Sequence, residues 1–257
     1  MKDIQRQRPE NPIYIHKVGV KDISYPIVVS DKRRGQQHTV ASISLYVDLP
    51  REFKGTHMSR FIEILNEHRE DIHIKKFEHI LNQIKVNLEA TSAHMEIKFP
   101  YFIEKAAPMS GAKGLMEYKC SLIGMVGEKK EFKVGVQVPV QTLCPCSKEI
   151  SDVGAHNQRS IVSVIVRYDK FFWIEDLIEL IEHCGSSPLY PILKRPDEKY
   201  VTEYAYNHPM FVEDLVRQVA AELNKKEEFS WYCVEAENME SIHNHSVYAY
   251  IEGGGDE

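Results

Sequence analysis

The spacing of apolar residues changes from every second residue to a helical period and back again. In the first half, apolar and polar side chains alternate over residues 42–49, follow i, i+3, i+4 spacing over 58–88, and alternate again over 95–99. Alternation predicts a strand with one buried face, and the longer period predicts amphipathic helices. Residues 14–30 and 116–126 add two further strands. The predicted order is strand, strand, helix, helix, strand, strand.

The second half repeats this order without repeating the sequence. Its predicted strands and helices lie at residues 132–140 and 161–168, 174–181 and 211–223, and 229–236 and 246–252. Pro188, Pro191 and Pro196 predict a long loop between the two helices. Each half is typical of an α+β layer pair, an antiparallel sheet with two helices on one face. We therefore predict two similar modules, residues 1–128 and 129–257.

The composition narrows the class of protein. The 257 residues have a formal net charge of −6 and no extended Lys/Arg run, which argues against a nucleic-acid partner. Five cysteines, an odd number, do not suggest a disulfide scaffold. The polar start, MKDIQRQRPENP, is unlike a signal peptide, and no apolar run is long enough for a membrane helix. We expect a soluble cytoplasmic protein.

The stretch QTLCPCSKEISDVGAHNQRS contains the strongest candidate site. Cys144 and Cys146 form a C-x-C pair, and His156 follows twelve residues after Cys144. Pro145 and Gly154 favour a bend rather than regular structure. Thiolate and imidazole are preferred zinc ligands, and the sparse mixed set favours an open catalytic site over a closed structural one. The alternative is that two close cysteines only pack against their neighbours.

Two helix starts carry further candidates. Thr56 is a potential N-cap of the first helix, and the same turn, with His57 and Arg60, is a candidate anion site for a substrate. Glu213 and Asp214 stand near the start of a later helix. They either complement the helix dipole or supply a carboxylate that accepts two parallel N–H bonds from a ligand.

Two predicted loops contain the remaining candidate site residues. Glu198 lies in the charged run Lys194-Arg195-Pro196-Asp197-Glu198, within the predicted long loop, and is either solvated or an oxygen ligand for a metal. His243 and His245 follow Glu240 before the last strand. Loop histidines are commonly surface residues, yet their pKa also suits proton transfer near neutrality.

Several motifs together resemble the type IB GTP cyclohydrolases. The resemblance rests on T-L-C-P-C-S-K-E-I-S, G-A-H-N-Q-R-S, K-R-P-D-E-K-Y-V-T-E, F-V-E-D, S-I-H-N-H-S and F-K-G-T-H-M-S-R-F. It implies tandem tunnelling-fold modules, ββααββ twice, in a homotetramer with sites at subunit interfaces. It also implies hydrolysis of GTP to 7,8-dihydroneopterin triphosphate and formate, the first step of folate synthesis, with modified-tRNA synthesis as another use of the product.

The resemblance also implies roles for particular residues. Cys144, His156 and Glu198 correspond to residues around a catalytic divalent metal, and Glu213 to the carboxylate that anchors guanine. Zinc, manganese and iron all suit a Cys/His/Glu set. Cys144 is in addition a candidate acid or nucleophile, and His243 or His245 a proton shuttle. Cations that suit the triphosphate are Lys148, Arg159, Lys194, Arg195 and Arg60.

Some alternatives remain open in the sequence. Cys146 either joins or replaces Cys144 at the metal. The same fold also supports an NADPH-dependent nitrile reductase with a cysteine nucleophile, and a non-enzymatic purine-binding protein is a third possibility. Metal-dependent turnover of GTP without consumption of NADPH separates these classes.

Overall fold

The computed structural model describes residues 4–68, 70, 72 and 74–255. Its strands are β1 (Ile15–Asp31), β2 (Gly35–Leu49), β3 (Ala93–Ala106), β4 (Lys113–Val126), β5 (Glu131–Leu143), β6 (Asn157–Tyr168), β7 (Ser187–Pro188), β8 (Phe229–Met239) and β9 (Ser246–Gly254). Its helices are α1 (Met58–His68), α2 (Ile74–Asn87), α3 (Pro145–Ile150), α4 (Ile174–Glu182), α5 (Arg195–Asn207) and α6 (Val212–Leu223). None of the described helices has the length and apolarity needed to span a membrane.

Residue contacts divide the chain into two compact units. Unit 1 comprises Met1–Pro100 and Ser121–Val134, and unit 2 comprises Tyr101–Cys120 and Gly135–Glu257. The borders fall inside β3, β4 and β5, because these strands are long enough to contribute to both units. The division into residues 1–128 and 129–257 follows the order of the elements instead, and it stays a prediction about two similar modules.

Unit 1 is an antiparallel sheet covered by α1 and α2. Strand β1 pairs with β2, and β2 pairs with β3 in a register that places Leu45 opposite Met95. Both of these side chains are buried, as are Phe61 of α1 and Leu81 of α2. The alternating apolar residues of the strands thus bury one face of the sheet against the apolar stripes of the helices.

Unit 2 has the same layered construction around β5, β6, β8 and β9, with α4 and α6 forming the helical layer. The order in the sheet is β5-β6-β8-β9, and the short β7 pairs with β5. Val138, Val164 and Val234 are fully buried in the sheet, and Ile181 of α4 and Leu215 and Val219 of α6 are fully buried in the helical layer. The predicted α+β architecture with antiparallel sheets is confirmed.

The prediction of a long loop between the two helices of the second half is wrong from residue 195 onward, because Arg195–Asn207 form the helix α5. Pro196 lies in the first turn, where its missing N–H costs nothing. Asp197 closes a capping box with the backbone of Lys194. Only Asp197 and Ala205 of α5 are buried, so the helix has no apolar stripe that periodicity can detect.

Asp48 illustrates how a buried carboxylate stabilises unit 1. Its side chain accepts hydrogen bonds from the backbone N–H of Thr91 at 2.9 Å and of Ser92 at 2.5 Å, and from both hydroxyls. Desolvation raises the pKa of Asp48, but these hydrogen bonds outweigh it and hold the pKa below its usual range.

We expect Asp48→Asn to lower the free energy of unfolding at pH 7 by about 1.5–3 kcal/mol, since charged hydrogen bonds to a buried group are lost. A carboxyl with a lowered folded-state pKa contributes stability above its unfolded pKa and loses it as the pH falls through the folded pKa. The difference from wild type therefore shrinks below about pH 4. Urea denaturation across this pH range measures it. Asp22→Asn, at an exposed residue with φ of 53°, is the control and is expected to change stability little.

Candidate functional site

Cys144 lies between the end of β5 and the start of α3. It is the N-cap residue of α3, and its Sγ accepts a hydrogen bond from the Ser147 N–H at 3.4 Å. Pro145 occupies the first turn, which tolerates proline, so the predicted bend is in fact a short helix. The Cys144 N–H donates to the His156 carbonyl at 3.1 Å. The half-exposed thiol and the histidine are therefore held next to each other through the backbone.

The ring of His156 faces two acceptors. Its Nδ1 is 3.1 Å from Oε1 of Gln158 and 3.5 Å from Oε2 of Glu240, and the side chains of His156 and Glu240 are 15% and 11% exposed. An acceptor at Nδ1 favours the tautomer that carries its proton there and leaves a lone pair on Nε2. Ser147 Oγ accepts from the His156 N–H at 3.1 Å and fixes the backbone.

Gln158 and Glu240 were not assigned a role from the sequence. Gln158 is the second residue of β6 and stands two residues after His156, so its contact is open to detection from the spacing alone. Glu240 comes 84 residues later and reaches His156 only through the pairing of β6 with β8. No local sequence pattern predicts that contact.

Buried hydroxyls hold the strand ends that carry this site. Oγ1 of Thr142 and Oγ of Ser160 are 2.8 Å apart across β5 and β6, and both residues are fully buried. Ser186 Oγ accepts from the Leu143 N–H at 3.1 Å. Because buried polar groups with partners resist displacement, the residue before Cys144 has a defined position.

Glu198 lies in the first turn of α5, and its side chain is exposed. Its neighbour Asp197 is buried instead and accepts four hydrogen bonds. Desolvation raises the pKa of Asp197, but the bonds from Ser110, Lys194 and Met109 outweigh it and hold the pKa well below its usual range. Among the residues that the structure describes, no three His, Cys, Asp or Glu side chains are grouped closely enough to hold a metal ion.

Glu213 is the second residue of α6 and is exposed. The neighbouring Asp214 closes the capping box, with its Oδ2 accepting from the Phe211 N–H at 3.4 Å. Asp214 also contacts Arg217 at 3.2 Å. The helix start thus uses the Asp214 carboxylate, and the Glu213 carboxylate remains available to a ligand.

His243 and His245 lie in the turn between β8 and β9. Their rings are stacked, with centroids 4.9 Å apart and planes 10° from parallel, and both side chains are exposed. The exposed turn therefore brings two imidazole rings into contact with each other.

The candidate cations of unit 2 have different surroundings. Lys148 donates from Nζ to the Tyr206 carbonyl at 2.5 Å and lies 4.2 Å from the centroid of its ring. Arg159 is exposed and lines a largely apolar cleft of about 290 Å³ together with Tyr190. Lys194 and Arg195 are exposed at the start of α5.

A second cleft of unit 2 is large enough for a nucleoside. Its volume is about 440 Å³, and it lies between the residues flanking His156 and the C-terminal half of α5. Its polar lining consists of Gln141, Asn157, Thr202, Glu203, Tyr206 and Asn207. Amide, hydroxyl and carboxylate groups of this kind complement the edges of bases and riboses.

In unit 1, His57 and Arg60 line one small cleft together with Gly55 and Thr56. Arg60 donates from Nη1 to the Asn87 carbonyl at 2.9 Å, which orients its guanidinium beside this cleft. The sequence prediction that these residues share a site is consistent with this geometry, while their role in binding an anion stays a prediction.

The fold has clear relatives among solved structures. A uricase from Bacillus fastidious aligns with a TM-score of 0.57 at 6% identity, over 96% of this chain and 94% of that chain. Urate oxidase from Bacillus subtilis 168 aligns with a TM-score of 0.55 at 6% identity, over 93% of this chain and 98% of that chain. Such low identity shows the fold alone, and that fold is the tunnelling fold.

The sequence identifies the family. Residues 1–249 match the family described as Type I GTP cyclohydrolase folE2. GTP cyclohydrolase FolE2 from Syntrophus aciditrophicus (strain SB) is 62% identical over 253 residues, covering 98% of this chain and 99% of that protein. The one from Geobacter sulfurreducens is 62% identical over 252 residues, covering 98% of each. The chain belongs to the type I GTP cyclohydrolase FolE2 family.

This membership confirms the expected GTP cyclohydrolase and the expected enzyme class. The matched family is FolE2, whereas the sequence motifs suggest the type IB subclass. It also separates the chain from the nitrile reductase and from a purine-binding protein without turnover. The individual residue roles, the metal and the assembly stay predictions.

Proposed function

We propose that this chain hydrolyses GTP to 7,8-dihydroneopterin triphosphate and formate, the first step of folate synthesis, with the help of a divalent metal. Assignment to subclass B of the type I enzymes is part of the proposal. The observation that carries it is the fixed Cys144–His156 pair in a chain that is 62% identical to named GTP cyclohydrolases. The nucleoside-sized cleft beside His156 supports the same reading.

Two groups of this site, the Cys144 thiol and the His156 imidazole, are of the kinds that a borderline-soft divalent metal prefers. Cys144 offers a half-exposed thiol, and the acceptors at Nδ1 of His156 leave its Nε2 to face a metal. Glu198, exposed in the first turn of α5, is the proposed oxygen ligand. When bound, such a metal supplies an acidified water near neutral pH. Zinc, manganese and iron all suit a set of this kind.

Glu213 is the proposed anchor of the guanine base. A carboxylate accepts two parallel bonds from the guanine N1–H and 2-amino group, a pattern that adenine does not present. Asp214 already caps α6, so binding a base does not require the helix to give up its capping bond. Recognition of guanine then places the imidazole ring of the base toward the hydrolytic groups.

His243 and His245 are the proposed proton shuttle. Ring opening requires a proton at the departing nitrogen and the removal of one from water, and imidazole does both near neutrality. The two rings are exposed and stacked on each other, so both are accessible to a ligand. The proposed contacts of the triphosphate are Lys148, Arg159, Lys194, Arg195 and Arg60, since guanidinium and ammonium groups match its charge. His57 is a proposed substrate-binding residue.

Incubation of the metal-free protein with GTP and a panel of Zn²⁺, Mn²⁺ and Fe²⁺ tests the proposal. We expect metal-dependent pterin fluorescence and one formate per GTP, with no turnover of ATP and no consumption of NADPH. Binding of GTP without formate under every metal would contradict the proposed reaction. Consumption of NADPH without pterin would instead favour the reductase.

The proposed assembly is a homotetramer with sites at subunit interfaces. In unit 1, β1 pairs with β2; in unit 2, β9 pairs with β8 and carries exposed Tyr248 and Tyr250. Exposed edges of this length are normally covered in folded proteins. Sedimentation velocity is expected to show a tetramer at the concentrations used for the assay, and an active monomer at those concentrations would contradict this prediction.

A further inference from the structure

Glu89 has a backbone conformation that a glutamate rarely adopts. It lies just after the end of α2 with a φ of 54°. The Ala90 N–H donates to the Lys85 carbonyl at 3.0 Å, and the Glu89 N–H donates to the Val86 carbonyl at 3.1 Å. These two bonds form a Schellman motif, in which glycine is the usual residue at the left-handed position. A larger residue costs free energy there, so the end of the helix does not explain a glutamate at this position.

The Glu89 carboxylate pairs with Arg6 of the N-terminal segment, residues 4–7. Nη2 of Arg6 donates to Oε1 of Glu89, and the two side chains are 54% and 55% exposed. An ion pair with this exposure contributes little to stability, because water screens the charges and ordering two long side chains costs entropy. The stability of the fold therefore does not explain why the strained position carries a carboxylate.

The backbone of the N-terminal segment is held against the loop before α1. The Gln5 carbonyl accepts from the Lys54 N–H at 3.0 Å and from the Gly55 N–H at 3.2 Å, and the Gln7 carbonyl accepts from the Lys54 N–H at 2.9 Å. These bonds fix the position of the segment without using the side chain of Arg6. The guanidinium can therefore change its partner while the segment stays in place.

Three side chains with N–H donors line one cleft of unit 1. They are Arg6, His57 and Arg60, and the carboxylates of Asp48 and Glu89 line the same cleft. The Asp48 carboxylate already accepts four hydrogen bonds within the fold, so Glu89 supplies the negative charge that the cations face. The cleft has a volume of about 40 Å³, room for about three water molecules. This volume suits one phosphate group and is too small for a base or a ribose.

Arg60 reaches the same end of α2 as Arg6. Its Nη1 donates to the Asn87 carbonyl at 2.9 Å, which uses one of the five N–H groups of the guanidinium. The simplest explanation is that both arginines cap α2, because cations complement the C-terminal end of a helix dipole. That explanation predicts an effect on stability alone, and it does not explain the left-handed glutamate.

We propose that Arg6 is a further phosphate-binding residue, which exchanges Glu89 for one phosphate group of the nucleotide and binds it together with Arg60 and His57. The inference rests on the proposed function, since GTP is taken as the source of the phosphate group. Glu89 keeps the guanidinium at the edge of the cleft through a weak, exposed ion pair. A phosphate competes successfully for it, because guanidinium and phosphate match in charge and in bidentate geometry.

Binding of inorganic tripolyphosphate to the full-length protein, measured by isothermal titration calorimetry at low ionic strength, tests the proposal. We expect Arg6→Ala to weaken binding by about 5- to 10-fold, since a charge-assisted contact in a half-exposed site is lost. Glu89→Gln is expected to tighten binding by about 2- to 5-fold, because the competing carboxylate is gone. Both differences are expected to shrink as KCl is added, since salt screens exposed charges.

The double variant Arg6→Ala/Glu89→Gln separates exchange from a general effect of charge. Because Glu89 acts through Arg6, the double variant is expected to bind tripolyphosphate as Arg6→Ala does. Arg8→Ala is the matched control: Arg8 is exposed, and it is not among the described residues that line the cleft. It makes the same change in net charge and is expected to keep the wild-type affinity within about twofold. Urea denaturation of each variant measures the contribution to stability.

Several results would overturn the proposal. Wild-type protein that does not bind tripolyphosphate at millimolar concentration has no such site. An Arg6→Ala protein that loses stability but binds no more weakly than Arg8→Ala shows that the arginine only caps α2. Equal tightening by Glu89→Gln with and without Arg6 shows a general effect of charge and excludes the exchange.

Turnover of GTP distinguishes a failure of this inference from a failure of the proposed function. The KM for GTP, measured by pterin and formate, is expected to rise in Arg6→Ala, because a contact with the substrate is lost. If wild type forms pterin while Arg6→Ala changes neither this KM nor the tripolyphosphate affinity, the phosphate site is wrong and the function stands. If wild type forms no pterin while tripolyphosphate binding depends on Arg6, the function is wrong and the phosphate site stands.

Discussion

Cys144→Ala is expected to lose metal and pterin formation together. The thiol is half-exposed at the N-cap of α3 and is held beside His156 through the bond between their backbones at 3.1 Å. If Cys144 is a ligand, its loss leaves an imidazole and a carboxylate, which bind a soft-tolerant divalent metal more weakly. Removal of the metal is expected to cost several kcal/mol of catalysis, or roughly a thousandfold in rate.

The alternative role of Cys144 predicts a different result. If the thiol acts mainly as an acid or nucleophile, Cys144→Ala keeps its metal but stops at GTP or at a ring-opened species. Metal content by mass spectrometry, measured with formate release and pterin fluorescence, separates the two roles. A Cys144→Ala protein with wild-type turnover would remove both roles and the site assignment with them.

Two other cysteines serve as comparisons. Cys184→Ala is the control, since Cys184 is buried and its burial raises the pKa of the thiol to about 12, so it is not a thiolate at neutral pH. It is expected to retain metal and turnover. Cys146→Ala tests the second thiol of the pair, which is exposed on α3, and is expected to retain its metal. Metal loss in Cys146→Ala but not in Cys144→Ala would show that Cys146, and not Cys144, is the thiolate ligand.

Glu213→Gln is expected to lower kcat/KM for GTP by about 2–5 kcal/mol, equal to roughly 30- to 5,000-fold. The substitution replaces one acceptor oxygen by a donor that faces an N–H of the base, and it removes the charge that strengthens both bonds. The effect requires that the Glu213 carboxylate can reach the ligand. Asp214, and not Glu213, closes the capping box of α6, so capping does not engage the Glu213 carboxylate.

A comparison of GTP with ITP makes this prediction specific. ITP lacks the 2-amino group, so wild type is expected to prefer GTP, and Glu213→Gln is expected to reduce that preference. Asp214→Asn is the neighbouring control: it weakens the capping box of α6 and is expected to lower stability by about 0.5–2 kcal/mol while keeping the preference. An unchanged kcat/KM in a folded Glu213→Gln protein would exclude Glu213 from the base site.

Much of the architecture was predictable because strands and helices carry their burial in the spacing of apolar residues. β5 is a case in point, where Val134, Val136, Val138 and Val140 alternate along the strand and are buried. The helix α5 was not predictable in this way. Its two buried residues are a carboxylate and an alanine, and the contacts of Asp197 come from a distant turn.

The candidate site was also predictable only in part. Cys144, His156, Glu198, Glu213, His243 and His245 were all proposed from the sequence, because thiol, imidazole and carboxylate groups in distinctive motifs carry chemistry in themselves. The sequence alone therefore determined the alternating strands, the amphipathic helices and the family, which depend on local spacing and side-chain identity. The tertiary structure decided that Glu240 faces His156 and that Asp197 is tied to the β3–β4 turn. Such contacts join residues far apart in the chain, and only the packing of strands, turns and helices brings their polar groups close together.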